Sequence, residues 1–145
     1  EMANFPITEK PQFADTMEQV TAQDRAAPDT FNPRYQTLLD NDNYLRAQMA
    51  RQDRTTVVTL PAAGWSAEAP YSQRVAVPGI LETDNPELHP YTPKDITADE
   101  LKQRQKFTGM ITDGDTEDGY ATFYCGVKKP TADFPVLLKG VSASE

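Results

Sequence analysis

The first 54 residues contain no glycine, and all seven glycines fall between residues 55 and 145. That absence excludes a turn-rich fold from the first third and concentrates tight turns in the remainder. The chain has one histidine, His89, so a histidine-based catalytic triad or a histidine-rich metal site is excluded by count. It has one cysteine, Cys125, which rules out an internal disulfide framework and a thiolate metal cluster. No apolar run approaches the roughly 18–20 residues that span a bilayer. The N-terminus also lacks the basic-then-apolar order of a signal peptide. Met2 reads as the natural start, preceded by an added Glu1.

Basic residues are outnumbered, 14 Lys and Arg against 22 Asp and Glu, for a net charge of −8. A chain of this sign is a poor match for nucleic acid or an anionic membrane, so neither is expected as a partner. The hydrophobic fraction, 38%, is low for a compact globule of 145 residues. Much of the N-terminal third is therefore expected to order only against a partner.

Two regions follow: residues 1–54, an arm and helix for anchoring and oligomerisation, and residues 55–145, a β-rich module. Asn4 to Phe13, with Pro6 and Pro11, reads as an extended arm. Asp15 to Arg25 reads as a short helix with Met17 and Val20 on one face, ended by Ala26-Ala27-Pro28. A longer helix is expected over Asn32 to Arg54, with Asn32 as N-cap and Pro33 at the first helical position. Phe31, Tyr35, Leu38, Asp42, Leu45 and Met49 recur at steps of four and three, a heptad seam interrupted by Asp42. The stripe either packs on the chain's own β module or joins copies of the chain, and the second reading is favoured. Phe31, Tyr35, Leu38, Leu45 and Met49 are the candidate oligomerisation residues. Asn41 and Asp42 would then fix register at a cost in stability, with Asn43 facing solvent.

In the module, Thr55 to Leu60 is a β-branched strand ended by Pro61, and Gly64-Trp65 follows in a turn. Ser72 to Val77 alternates as a half-buried strand before a Pro78-Gly79 turn. Residues 84–94 hold three prolines and read as a loop. Thr97 and Glu100 form a capping box that opens a helix to about Lys106. Phe107 to Thr112 and Tyr120 to Val127 read as a hairpin around an acidic loop, and Phe134 to Val141 as the last strand. The expected fold class is α+β: the N-terminal arm and single amphipathic helix, then a small β-sandwich-like domain with one short inserted helix.

No catalytic constellation emerges, and the expectation is a non-enzymatic chain without cofactor or metal. Cys125 on a strand reads as a small hydrophobe. Asp113, Asp115, Glu117 and Asp118 do not make an EF-hand loop, because Asp118 and Tyr124 stand where glycine and glutamate are required. Carboxylate pairs for glycoside hydrolysis are available by number, but no spacing singles one out. Trp65, Tyr71 and Tyr91, with Tyr120, are either core anchors or an aromatic platform for a sugar. The core reading is preferred, and Trp65, Tyr71 and Tyr91 are the candidate ligand-binding residues.

The segments NFPITEKPQF and FNPRYQTLLDNDNYLRAQM resemble the N-terminal portions of tail-fibre and baseplate-associated proteins of phages and prophages of Gram-positive gut bacteria. TVVTLPAAGWSAEAPYSQRVAVPGILETDNP and TFYCGVKKPTADFPVLLKGV resemble a β-rich module of those proteins, with G-W…PY-x-Q early and KPT-x-D-x-PV at the close. The resemblance implies a virion structural protein made in the host cytoplasm, often a homotrimer, that binds other virion proteins. A short tail or head fibre, spike or adaptor fits the length, since long fibres continue into shafts and tips. Adhesion to a host cell-surface glycan is the alternative.

Overall fold

The computed structural model describes residues 4–142, so the expected start at Met2 lies outside the described residues. Contacts divide the chain into two compact units, Glu1–Ala50 and Arg51–Glu145. Helix α1 (Pro28–Gln52) dominates the first unit, followed in chain order by β1 (Thr55–Leu60), β2 (Tyr71–Ala76), β3 (Glu87–Pro90), α2 (Ala98–Thr108), β4 (Asp113–Glu117), β5 (Tyr120–Cys125) and β6 (Phe134–Lys139). The fold is α+β, as the sequence implies.

Helix α1 begins four residues before the expected Asn32. Pro28 takes the first position, where its missing N–H costs nothing, and Asp29 complements the positive end of the helix dipole. Asn32 is consequently not the N-cap, and Pro33 lies inside the helix. The ring at position 33 removes one backbone bond near the start of this 25-residue helix, which continues to Gln52.

Residues 15–25 form no helix, contrary to expectation. Arg34 holds this stretch along the helix, its guanidinium donating to the carbonyls of Glu18 (3.0 Å) and Gln19 (3.2 Å) and also to that of Thr30. The carbonyls of Glu18 and Gln19 are acceptors a helix there would need for its own amides. Asp24 instead closes a local turn by accepting from the Thr21 amide at 2.6 Å.

The second unit holds two three-stranded antiparallel sheets, ordered β1-β6-β3 and β2-β5-β4. In the first, Val58 pairs with Val136 and His89 with Leu137. In the second, Gln73 pairs with Phe123 and Thr116 with Ala121. The proline-rich loop expected over 84–94 contains edge strand β3, whose Pro90 sits at its last position. An edge position accommodates a residue with no donor to give.

The hairpin also departs from expectation. Phe107 and Thr108 end α2, while the acidic segment is itself strand β4. The turn is only Asp118-Gly119, with Gly119 in its second position at φ 82°, a conformation glycine adopts without steric cost. That turn is docked on its neighbours: the Val77 amide donates to Gly119 and the Gly119 amide to Ile80.

Helix α2 carries the expected capping box, with the Thr97 hydroxyl accepting from the Glu100 amide and the Glu100 carboxylate accepting from Thr97. Leu60, Phe134, Val136 and Leu138 of the first sheet and Ala121, Phe123 and Cys125 of the second are buried in one hydrophobic cluster. Phe107 of α2 joins it edge-on to Phe134, with ring centroids 5.3 Å apart.

Candidate functional site

Helix α1 buries none of its 25 residues. Of the expected seam, Tyr35, Leu38, Leu45 and Met49 are 53%, 53%, 50% and 67% exposed. Phe31 is half-buried and Asp42 is exposed. The spacing keeps Phe31, Leu38 and Leu45 in one row and Tyr35 and Met49 in the next, so these side chains share a face of the helix.

The arm follows the helix within the first unit. Going outward, the Gln36 amide donates to the Pro6 carbonyl, Phe5 meets Tyr35 edge-on at 6.3 Å, and Thr8 donates to Asp40 at 2.7 Å. At the turning point Phe13 lies against Tyr44, with centroids 5.8 Å apart. The Asn41 side chain then clasps Ala14, accepting from its amide at 2.8 Å and donating to its carbonyl at 3.0 Å. The returning stretch is held by Arg34, which also lies 3.6 Å from the Glu18 carboxylate and 3.7 Å from that of Asp24.

Asn41, expected to set register between helices, is thus spent on the chain's own arm. Asn43, expected to face solvent, is half-buried, and its Nδ2 has no hydrogen-bond partner. The strap covers part of the helix while leaving its own apolar residues out: Ile7, Phe13, Met17 and Val20 are 79%, 46%, 45% and 53% exposed.

The three candidate platform residues do not form an open aromatic surface. Trp65 is 5% exposed and belongs to the core, which corrects its candidacy as a sugar contact. Tyr71 is half-buried, with the Lys129 ammonium 5.0 Å from its ring centre. Tyr91 is half-buried beneath Arg104, which donates to its carbonyl at 2.9 Å. Cations therefore occupy ring faces that a sugar would stack on. Tyr120 is likewise covered by Arg74 at 3.5 Å.

Groups with intrinsic chemistry are engaged elsewhere. Cys125 is buried, and burial raises its thiol pKa, which disfavours the nucleophilic thiolate. His89 is exposed and 3.1 Å from Glu87. The Tyr124 hydroxyl donates to Asp115 at 2.9 Å, and that bond to a carboxylate raises its pKa. Among the described residues no group of three metal-ligating side chains comes together, and no helix is long and apolar enough to cross a membrane.

One concavity escaped the sequence reading. A cleft of about 630 Å³ opens in the second unit among β3, the end of α2, and β4 with β5. Its walls come from segments read as a loop, a helix and separate strands, and none of their local patterns pointed to a hollow between them. Compared with protein-family models, curated proteins and solved structures, the chain gave no match.

Proposed function

We propose that this chain is a non-enzymatic structural protein of a phage virion, a short fibre, spike or adaptor, that assembles through its first unit. The observation that carries the assembly reading is a helix with no fully buried residue and an apolar row left about half in water. A 25-residue helix presenting Tyr35, Leu38, Leu45 and Met49 at about half exposure or more leaves an apolar stripe in water. Helices of this kind draw their stability from packing rather than propensity, and a stripe with heptad spacing is matched by a second copy of itself. The virion assignment rests on the two arm and helix segments and on the module motifs described above. Its partners are other copies of the chain, as a homotrimer, and neighbouring virion proteins. The glycan-adhesion alternative is weakened by the burial of Trp65 and the cations over Tyr71 and Tyr91.

The test is absolute mass in solution by light scattering behind a sizing column, on the full chain and on Leu45→Asp. The expected result is three times the chain mass for the parent. Leu45→Asp is expected as a monomer, with the amide spectrum of the second unit unchanged. A monomeric parent, or a variant that still assembles, overturns the seam.

A further inference from the structure

Four strands end the two sheets, and three of them are guarded against pairing. Strand β3 is four residues long with Pro90 at its end, and β4 carries three acids. Strand β2 is partly covered, since the Ser66 amide donates to the Ser72 carbonyl and the Ser72 amide to the Ser66 hydroxyl. Strand β1 has no such device. Thr55–Leu60 contains no charge, proline or glycine and is β-branched at five of its six positions. Native proteins normally blunt an edge of this kind, because its unpaired amides and carbonyls template another strand.

The free groups on this edge follow from the ladder on its other side. The Gly140 amide donates to the Arg54 carbonyl at 2.7 Å, and Thr55 lies opposite Lys139 in an antiparallel pair. Backbone direction alternates along such a pair. Thr56, Val58 and Leu60 therefore turn their amides and carbonyls to β6, while Thr55, Val57 and Thr59 turn theirs outward. Among the described residues, none of these outward groups has a hydrogen-bond partner.

We infer that β1 pairs antiparallel with β1 of a second copy of the chain, about a two-fold axis at Val57. The register is the one in which outward residues meet outward residues. Thr55 then lies opposite Thr59 of the second copy, Val57 opposite its own counterpart, and Thr59 opposite Thr55 of the second copy. Each such pair exchanges two bonds, about six in all. Threonine and β-branched pairs are favourable cross-strand neighbours, and no charge meets a like charge although the chain carries −8. Val57 is 48% exposed and lies opposite Leu137 in the register with β6. Pairing therefore joins Leu137 and Val57 of one copy to Val57 and Leu137 of the other in one row across the merged sheet. A foreign strand would match the backbone alone, whereas a second copy matches backbone and side chains together.

The inference concerns only the second unit and is independent of the α1 seam. Two six-residue edges bury less than the roughly 1,200 Å² of a stable complex, so the pairing is weak, with Kd on the order of 0.1–1 mM. It does not register at the dilution of a sizing column. Amide NMR and hydrogen exchange on full-length Leu45→Asp, dilute and at about 1 mM, test it with the helix seam removed. The amides of Thr55, Val57 and Thr59 are expected to exchange freely when dilute and to gain protection at high concentration. Shifts among second-unit amides should be confined to 54–61 and 135–139. Adding Val57→Lys sets two like charges face to face on the axis and leaves the core untouched, so the protection should vanish while the spectrum stays folded. An equal mixture of the Val57→Lys and Val57→Glu forms should regain it. Protection already present when dilute, no change with concentration, shifts elsewhere in the second unit, protection that survives Val57→Lys, or a mixture that stays unpaired would each overturn the assignment.

Discussion

Asp84 closes the chain onto the second unit. One of its carboxylate oxygens accepts from the amides of Leu81 (3.0 Å) and Ser142 (2.8 Å), and the other accepts from the Ser142 hydroxyl at 2.6 Å. Burial pushes its pKa up, but these bonds and the positive charge of Arg51 outweigh burial and hold it below the usual value. A carboxyl whose pKa is lower folded than unfolded stabilises the fold above its unfolded pKa, near 4. That contribution is lost as pH falls through the lowered folded value. Asp84→Asn should therefore cost about 1 kcal/mol at neutral pH, and the gap to the parent should close below about pH 4. Urea unfolding at a series of pH values measures this, and a gap independent of pH would refute it. Asp84 had no sequence signal, because its partner lies 58 residues away. Gly64 was legible only as a turn. In the structure a Cβ there would clash with the side chain of Gln73, which is 3% exposed and donates to the Pro61 carbonyl.

At the scale of elements, the legible ones were those specified by local chemistry. The Thr97–Glu100 box and the β-branched run of β1 carry their signals within a few residues. The misread ones were decided by distant partners. Arg34 holds the carbonyls of residues 18 and 19 along α1, and β6 recruited a proline-bearing segment as β3. Strand β4 was hidden by its charge, since acids are poor strand formers, although Asp118-Gly119 between paired runs is a recognised hairpin signal. The arm is likewise an element fixed by side chains, and the Asn41 clasp on Ala14 is its central fastening. Asn41→Ala should free the arm without melting α1, at a cost of about 1 kcal/mol in arm docking. Hydrogen exchange would report it as faster exchange confined to residues 8–20. Unchanged protection there would mean that Arg34 and the aromatic pairs suffice.

For the whole molecule, the division at Ala50 separates a unit with an unburied helix from one with a closed core. A piece spanning residues 51–145 should fold alone, with one cooperative urea transition and amide shifts matching those of the full chain. A broad, non-cooperative transition would show that the second unit depends on the first. Sequence periodicity revealed the helical face because it repeats along one element; the cleft joins residues of several elements and had no such repeat. The acidic edge of the second sheet has one more consequence. Strand β4 bonds to β5 on one side only and carries Asp113, Asp115 and Glu117 at alternate positions. An open strand edge invites the same edge of another molecule, and repeated like charge deters it. If the helices gather copies at high local density, these carboxylates are the spacers that keep neighbouring domains from zipping together.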